Sequence, residues 1–103
     1  MIQANECRIG NWIFNDDVKM EYQLTSYGIL TLEQSPENRS PIPLTPEILE
    51  KIGERKAVLG DSTIHWKIGD FLYSENCFHL SKGLHWLQNY HYFRTGEELT
   101  FKP

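Results

Sequence analysis

Residues 84–99, LHWLQNYHYFRTGEEL, decide how the C-terminal part of the chain folds. At about 100° per residue, the rotation of an α-helix, Trp86, Leu87, Tyr90 and Phe93 fall within one third of the circumference. This i, i+1, i+4, i+7 spacing is typical of the apolar face of an amphipathic helix. The sequence therefore predicts a C-terminal amphipathic helix near residues 84–95, with these side chains buried and Gly96 ending the helix in a left-handed conformation.

The opposite face of this helix carries His85, Gln88, Asn89 and Tyr92, and the pattern predicts that it faces solvent. Tyr92 is unusual there, because an aromatic ring gains nothing from packing if it points into water. Together with His85 and Asn89 it forms a stripe of hydrogen-bonding groups around one aromatic anchor, a mixture favoured at contact surfaces. His85, Asn89 and Tyr92 are therefore the candidate partner-binding residues. The alternative is that Tyr92 packs on the sheet or against the C-terminal tail, where Leu99 and Phe101 are expected to fold back onto the core.

The N-terminal third of the chain has the pattern of β-strands. Residues 7–14 are rich in β-forming side chains and end in the turn-forming cluster at residues 15–17. Residues 18–25 alternate between apolar and polar, which predicts a half-buried second strand paired with the first as a hairpin. Residues 29–32 follow Gly28 and predict a third strand, whereas residues 35–43 are polar and proline-marked and predict a loop.

A short helix is predicted near residues 46–52. Thr45 can cap the free amide groups, Pro46 suits the first helical position and Glu47 suits the positive end of the helix dipole. Gly53 is placed to end the helix in a left-handed conformation. A helix this short depends on packing, so we expect it to cover a core.

Short β-prone runs at residues 57–59, 63–68, 71–73 and 77–80 predict a second meander of strands, because plausible tight turns separate them. The predicted fold is therefore α+β: one small domain over residues 1–103, mostly antiparallel strands in a meander, with two helices. An SH3-like or other small barrel built from the N-terminal strands is the alternative architecture.

Composition limits the classes of function. The chain has 103 residues, 40% hydrophobic and 23% charged, which is a globular balance that predicts a self-sufficient fold. The net charge of -4 comes with no basic arm or stripe, so nucleic acid is an unlikely direct ligand. With no apolar leader and no long apolar run, we expect a soluble cytoplasmic protein without a membrane partner.

The ionisable side chains predict neither a metal site nor a catalytic site. His85 and His91 cannot converge from one helix face, because six residues turn a helix by about 240°. His79 lies on a predicted strand, and the two cysteines, Cys7 and Cys77, are far apart, so we expect reduced thiols and no metal or cofactor. No recognised catalytic motif is present, and the adjacent carboxylates at residues 16–17 and 97–98 point apart.

Three stretches carry a resemblance to a known family: RIGNWI at residues 8–13, PIPLTPEIL at residues 41–49, and LHWLQNY through TGEEL at residues 84–99. In order and spacing they resemble a family of small uncharacterised proteins encoded by phages, prophages and mobile elements of gut Bacteroidetes. The resemblance spans nearly the whole chain. It implies a cytoplasmic accessory protein of phage or prophage type, and it implies no activity, cofactor or catalytic residue.

These observations predict a non-enzymatic protein-interaction module with an unidentified protein partner. A small enzyme or small-ligand-binding protein without a recognisable motif is the first alternative, and it predicts a deep pocket with clustered titratable groups. A nucleic-acid accessory protein is the second alternative. It is suggested only by the phage-type resemblance, and the acidic balance of the chain argues against it.

Overall fold

The computed structural model describes residues 2–57, 60, 64–74 and 83–103. Within these residues the chain forms, in order, a 3₁₀ turn (Ala4–Glu6), β1 (Trp12–Asn15), β2 (Met20–Gln23), α1 (Ser26–Gln34), β3 (Arg39–Ser40), α2 (Pro46–Ile52), β4 (Glu54–Ala57), β5 (Ile64–Ile68), β6 (Phe71–Ser74) and α3 (Gly83–Thr95). The strands make two three-stranded antiparallel sheets, ordered β2-β1-β3 and β4-β5-β6. The fold is α+β, as the sequence predicts.

The predicted N-terminal hairpin is present but shorter than expected. Strands β1 and β2 pair from Trp12 opposite Gln23 to Asn15 opposite Met20. Asn15 shapes the turn, because its side-chain oxygen accepts a hydrogen bond from the Asp17 amide at 2.9 Å. Val18 therefore lies in the turn and is exposed, although the alternating pattern had placed it at the start of a strand.

Residues 29–32 belong to helix α1, so the prediction of a third strand there is wrong. Thr25 caps this helix, since its hydroxyl oxygen accepts a hydrogen bond from the Gly28 amide at 3.1 Å. Ile29 and Leu32 are one helical turn apart and pack into the same cluster of apolar side chains. A short apolar run fits a strand or a helix equally well, and here the Thr25 cap favours the helix.

The third strand of the first sheet lies in the stretch predicted as a loop. Strand β3, Arg39–Ser40, pairs with β1 and makes β1 the central strand of its sheet. Its two residues are too few for any alternating pattern to be visible in the sequence. The polar, proline-marked stretch thus contains a short strand.

Helix α2 begins as predicted and ends differently. The Thr45 hydroxyl accepts a hydrogen bond from the Ile48 amide at 3.3 Å, and Pro46 occupies the first turn. Gly53 follows the helix with φ −157°, which is extended backbone, so the predicted left-handed ending is wrong. Glycine is required there for another reason: a Cβ atom would stand 2.6 Å from the Lys67 carbonyl oxygen.

The second sheet is the predicted meander, with one shifted strand. Strand β4 begins at Glu54, three residues before the predicted start, and pairs with β5. The predicted tight turn at Gly69-Asp70 is confirmed, with Gly69 at φ +60° between β5 and β6. The predicted strand at residues 77–80 and parts of two others lie outside the described residues.

Two clusters of buried apolar side chains meet at β1. The smaller cluster contains Ile2, Ile13, Leu24 and Leu32, and the larger one contains Ile42, Leu44, Leu49, Trp66, Ile68, Tyr73, Leu84, Leu87, Leu99 and Phe101. Ile13 points into the smaller cluster, whereas Trp12 and Phe14 pack against the larger one. Because successive side chains of a strand point to opposite faces, β1 supplies both clusters at once. The predicted return of Leu99 and Phe101 to the core is confirmed.

Helix α3 confirms the predicted C-terminal helix, and its predicted apolar face is right in part: Leu87 is buried, and Trp86 and Tyr90 are partly buried against the larger cluster. The buried stripe runs at i, i+3, i+4 and i+7 through Leu84, Leu87, Gln88 and His91. Phe93 is about half a turn from Leu84 and is 87% exposed, so its predicted burial is wrong. The aromatic pattern misled the prediction because two of the four stripe positions are polar.

Candidate functional site

The N-terminal segment, residues 2–11, lies against one flank of α3, and the three predicted site residues point toward it. Asn89 and Tyr92 contact Arg8, while His85 lies beside Glu6. His85 is only 2% exposed and Tyr92 is 44% exposed. The flank that was expected to face solvent is therefore largely covered by the beginning of the same chain.

Asn89 fastens the N-terminal segment to the helix. Its side-chain oxygen accepts hydrogen bonds from Arg8 Nε at 2.8 Å and from Asn11 Nδ2 at 2.9 Å, and its nitrogen donates to the Glu6 carbonyl at 3.1 Å. Asn11 is fully buried and also accepts from the Arg8 amide at 2.7 Å. Asn89 thus has a structural role inside the chain in addition to any role at a surface.

Arg8 contacts three side chains: Asn89, described above, Glu98 and Tyr92. Its two terminal nitrogens donate to the two carboxylate oxygens of Glu98 at 2.7 and 3.4 Å, a forked arrangement suited to guanidinium. Its Cζ atom lies 4.4 Å from the centre of the Tyr92 ring, within range of a cation–π contact. Arg8 therefore fixes the position of the Tyr92 ring while its own charge is neutralised.

Gln88 also attaches the N-terminal segment to α3, although nothing in the sequence pattern distinguishes it from a solvent-facing residue. Its side-chain oxygen accepts a hydrogen bond from the Trp12 amide at 2.8 Å, and its nitrogen donates to the Gly10 carbonyl at 3.2 Å. The side chain is 1% exposed, so both bonds satisfy groups removed from water. A glutamine inside a helical pattern looks like a solvent-facing residue, and only its partners distinguish it.

His85 is buried with one ring nitrogen unsatisfied. Its Nε2 atom lies 3.6 Å from a carboxylate oxygen of Glu6, and its Nδ1 atom finds no hydrogen-bond partner among the described residues. Burial lowers the pKa of His85, and the nearby Glu6 carboxylate partly opposes that shift. At neutral pH the ring is uncharged, and it serves as a packed side chain of the helix and not as a surface group.

A groove of about 450 Å³ lies where the N-terminal segment meets the end of α3, lined by Asn5, Glu6, Cys7, Arg8, Asn89, Tyr92 and Phe93. The N-terminal segment forms one wall, and α3 forms the other. The groove thus contains two of the three predicted site residues, Asn89 and Tyr92, together with Phe93. His85 does not line it.

Cys7 is the side chain in this groove that could act as a nucleophile. It is a free cysteine, half-buried, and its Sγ atom lies 3.5 Å from the Gln3 carbonyl. Burial, and to a smaller degree the Glu6 carboxylate, raise the pKa of Cys7 to about 11. The thiol is protonated at neutral pH, so the groove is suited to binding more than to nucleophilic chemistry.

A second groove, of about 390 Å³, is lined in part by Glu98, the ion-pair partner of Arg8. Its walls are the loop before β1, with Ile9 and Gly10, and the C-terminal tail around Phe101. Trp12 and Phe101 form its floor, where their rings meet edge to face with centroids 5.3 Å apart. These two side chains belong to the larger cluster or pack against it, so the second groove lies where the C-terminal tail packs on that cluster.

Other kinds of site find no support in the described part of the chain. No three histidine, cysteine or carboxylate side chains there are grouped so that they could hold a metal ion. His79 and Cys77, which entered the metal hypothesis, lie outside the described residues. Among the described helices, none is both long and apolar enough to span a bilayer.

No protein-family model, curated protein or solved structure matches the chain. The resemblance to phage and prophage proteins of gut Bacteroidetes therefore stays a prediction. The groove between residues 5–8 and the end of α3 is the candidate site.

Proposed function

We propose that this chain is a non-enzymatic protein-interaction module, and that its partner binds in the groove formed by Asn5–Arg8 and the end of α3. The observation that carries the proposal is the exposure of two adjacent aromatic rings at this groove, Tyr92 at 44% and Phe93 at 87%. Neither ring is needed to fill the core. Exposed aromatic side chains beside a groove are the anchors that protein interfaces use most.

The surroundings of these rings support recognition by a preorganised surface. Tyr92 is held by the Arg8 guanidinium, and Arg8 is held in turn by Asn89 and Glu98. A partner would therefore meet side chains already fixed in place, which reduces the entropy lost on binding. Gln88 and Asn11 tie the same wall to the helix from inside.

More specifically, we propose that the chain is a cytoplasmic accessory protein of phage or prophage type. It is supported by the family resemblance of residues 8–13, 41–49 and 84–99, and the partner would then be a host protein or another protein of the mobile element. The protonated state of Cys7 favours a binding role for the groove over an enzymatic one.

Affinity capture with matched variants tests the proposal. The tagged chain, a Phe93→Ser variant and a Tyr27→Ser variant are used to capture proteins from a lysate of a gut Bacteroidetes host, with identification by mass spectrometry. Tyr27 is 72% exposed on α1 and does not line the groove, so it controls for the loss of an exposed aromatic ring. A partner kept by the wild type and Tyr27→Ser but lost by Phe93→Ser is the expected result. Identical protein sets from all three would overturn the proposal.

A further inference from the structure

We infer that the groove between Asn5–Arg8 and the end of α3 takes a basic peptide segment, in which a lysine or arginine stands next to an aromatic or aliphatic side chain. The apolar side chain would pack against Tyr92 and Phe93, and the cationic group would pair with Glu6. This inference rests on the proposed function and names the chemistry of the partner.

Two of the lining residues carry charge at neutral pH, Glu6 and Arg8, and only one of them is available to a partner. The three donor nitrogens of Arg8 are committed to Glu98 and Asn89, and the face of its guanidinium lies over the Tyr92 ring. Glu98 already neutralises the charge of Arg8, so a carboxylate or phosphate arriving in the groove would have to compete with Glu98 for it. Anionic partners are therefore disfavoured.

Glu6, in contrast to Arg8, is available to a partner. Its side chain is 47% exposed, and its Oε1 atom accepts a hydrogen bond from the Gln3 amide at 3.0 Å. The ionisable neighbour, His85, is kept uncharged at neutral pH by burial. No lysine or arginine of the described residues pairs with Glu6. The negative charge at the groove is thus open to a cation from outside.

The apolar part of the groove sets the second requirement. Tyr92 and Phe93 present ring surface to solvent, and Cys7 contributes an uncharged, half-buried thiol. A side chain that covers these surfaces removes apolar area from water, which a purely charged peptide cannot do. The net charge of -4 also favours the approach of a basic segment over an acidic one.

A peptide-display selection tests the inference with a defined probe. A library of random short peptides is selected for binding to the full chain and counter-selected against the Phe93→Ser variant. Enriched peptides are then synthesised, and their affinities are measured by fluorescence anisotropy for the wild type and for Glu6→Gln, Glu50→Gln, Phe93→Ser and Tyr27→Ser. Glu6→Gln keeps an oxygen that can accept the hydrogen bond from Gln3, so the N-terminal turn is preserved. Glu50 and Tyr27 are exposed and do not line the groove, which makes them matched controls.

We expect enriched peptides to pair lysine or arginine with an aromatic or aliphatic residue. Glu6→Gln should weaken their binding about two- to fivefold, as for a solvent-exposed ion pair. Phe93→Ser should weaken it about tenfold or more, as for an aromatic anchor, and the two controls should leave it unchanged. Peptides that depend on Phe93 but lack basic residues, or that ignore Glu6→Gln, would overturn the inference and leave the proposed function standing. Failure of any peptide to prefer the wild type over Phe93→Ser would count against both.

Discussion

Arg8 and Glu98 are 90 positions apart in the sequence, and they form a forked ion pair that joins the N-terminal segment to the stretch following α3. Arg8 lines the first groove and Glu98 lines the second, so the pair contributes one side chain to each. Both side chains remain partly exposed, at 34% and 52%. The stability that the pair contributes is accordingly moderate, and its larger effect is to position Tyr92.

Replacing Arg8 by lysine should distinguish the contribution of its positive charge to stability from that of its forked hydrogen bonds. Lysine keeps the positive charge but cannot donate to Asn89 and to both oxygens of Glu98 at once. We expect Arg8→Lys to lower the free energy of unfolding by about 1 kcal/mol, measured by urea denaturation. In a double-mutant cycle, Arg8→Lys and Glu98→Gln should be non-additive. Additive effects would show that the fork between Arg8 and Glu98 contributes nothing specific.

Replacing Gln88 should be costly despite its polar character. Gln88→Ala would leave the half-buried amide of Trp12 without its partner, and it would remove one of two donors to the Gly10 carbonyl, which also accepts from Gln23 Nε2 at 3.1 Å. We expect a loss of about 1–3 kcal/mol in the free energy of unfolding, even though alanine favours a helix. Gln34→Ala, at the exposed end of α1, is the control and should be nearly neutral. Equal behaviour of the two variants would contradict the burial of Gln88.

The orientation of α3 can be tested within one helix. Leu87 is fully buried, so Leu87→Ala should lower the free energy of unfolding by about 2–5 kcal/mol. Phe93 is exposed, so Phe93→Ala should change it by less than about 0.5 kcal/mol. Thermal or urea unfolding measures both. A large loss with Phe93→Ala would favour the aromatic face that the sequence pattern suggested.

His85 and His91 should make stability fall in acid. Burial lowers the pKa of both in the folded state, so the unfolded chain binds more protons once the pH drops below the ordinary histidine value of about 6.5. Stability is therefore fully present above that pH and is lost as the pH falls toward the folded-state pKa values. We expect His85→Leu to reduce this loss between about pH 6.5 and pH 5 when unfolding is followed in urea at each pH.

The His91 contribution should persist in that variant, because its ring is held separately by the Tyr73 hydroxyl, 2.6 Å from Nδ1. A pH profile identical to that of the wild type would argue that the His85 ring is accessible to solvent in the folded chain. An increase in acid sensitivity would contradict the direction given for its pKa.

The sequence predicted those helices and turns whose ends are marked by capping or turn-forming residues. Thr45 and Pro46 mark the start of α2, and Gly69-Asp70 marks a tight turn, because capping and turn formation are local. Helix α1 was missed because its cap at Thr25 precedes a run short enough to pass for a strand. Strand β3 was missed because it exists only through its pairing with β1. Its two residues have no property of their own that predicts a strand.

The candidate site was predicted in part. Tyr92 stood out as an aromatic residue on a polar face, and the structure places it and Asn89 at the groove. Glu6 and Arg8 could not be found from the helix pattern, since they arrive from the other end of the chain. His85 was misplaced for the same reason. An isolated helix shows which face is polar, but it does not show whether another part of the chain covers that face.

The central position of β1 has a consequence for how the molecule unfolds. A slip of one residue in its pairing would move Ile13 out of the smaller cluster and drive Trp12 and Phe14 toward it. Both clusters would lose their packing in the same event, so a change of register in β1 disrupts both of them. Strand β1 thereby couples the two clusters, and amide protons on either side of it should exchange with solvent through a shared opening rather than through two separate ones.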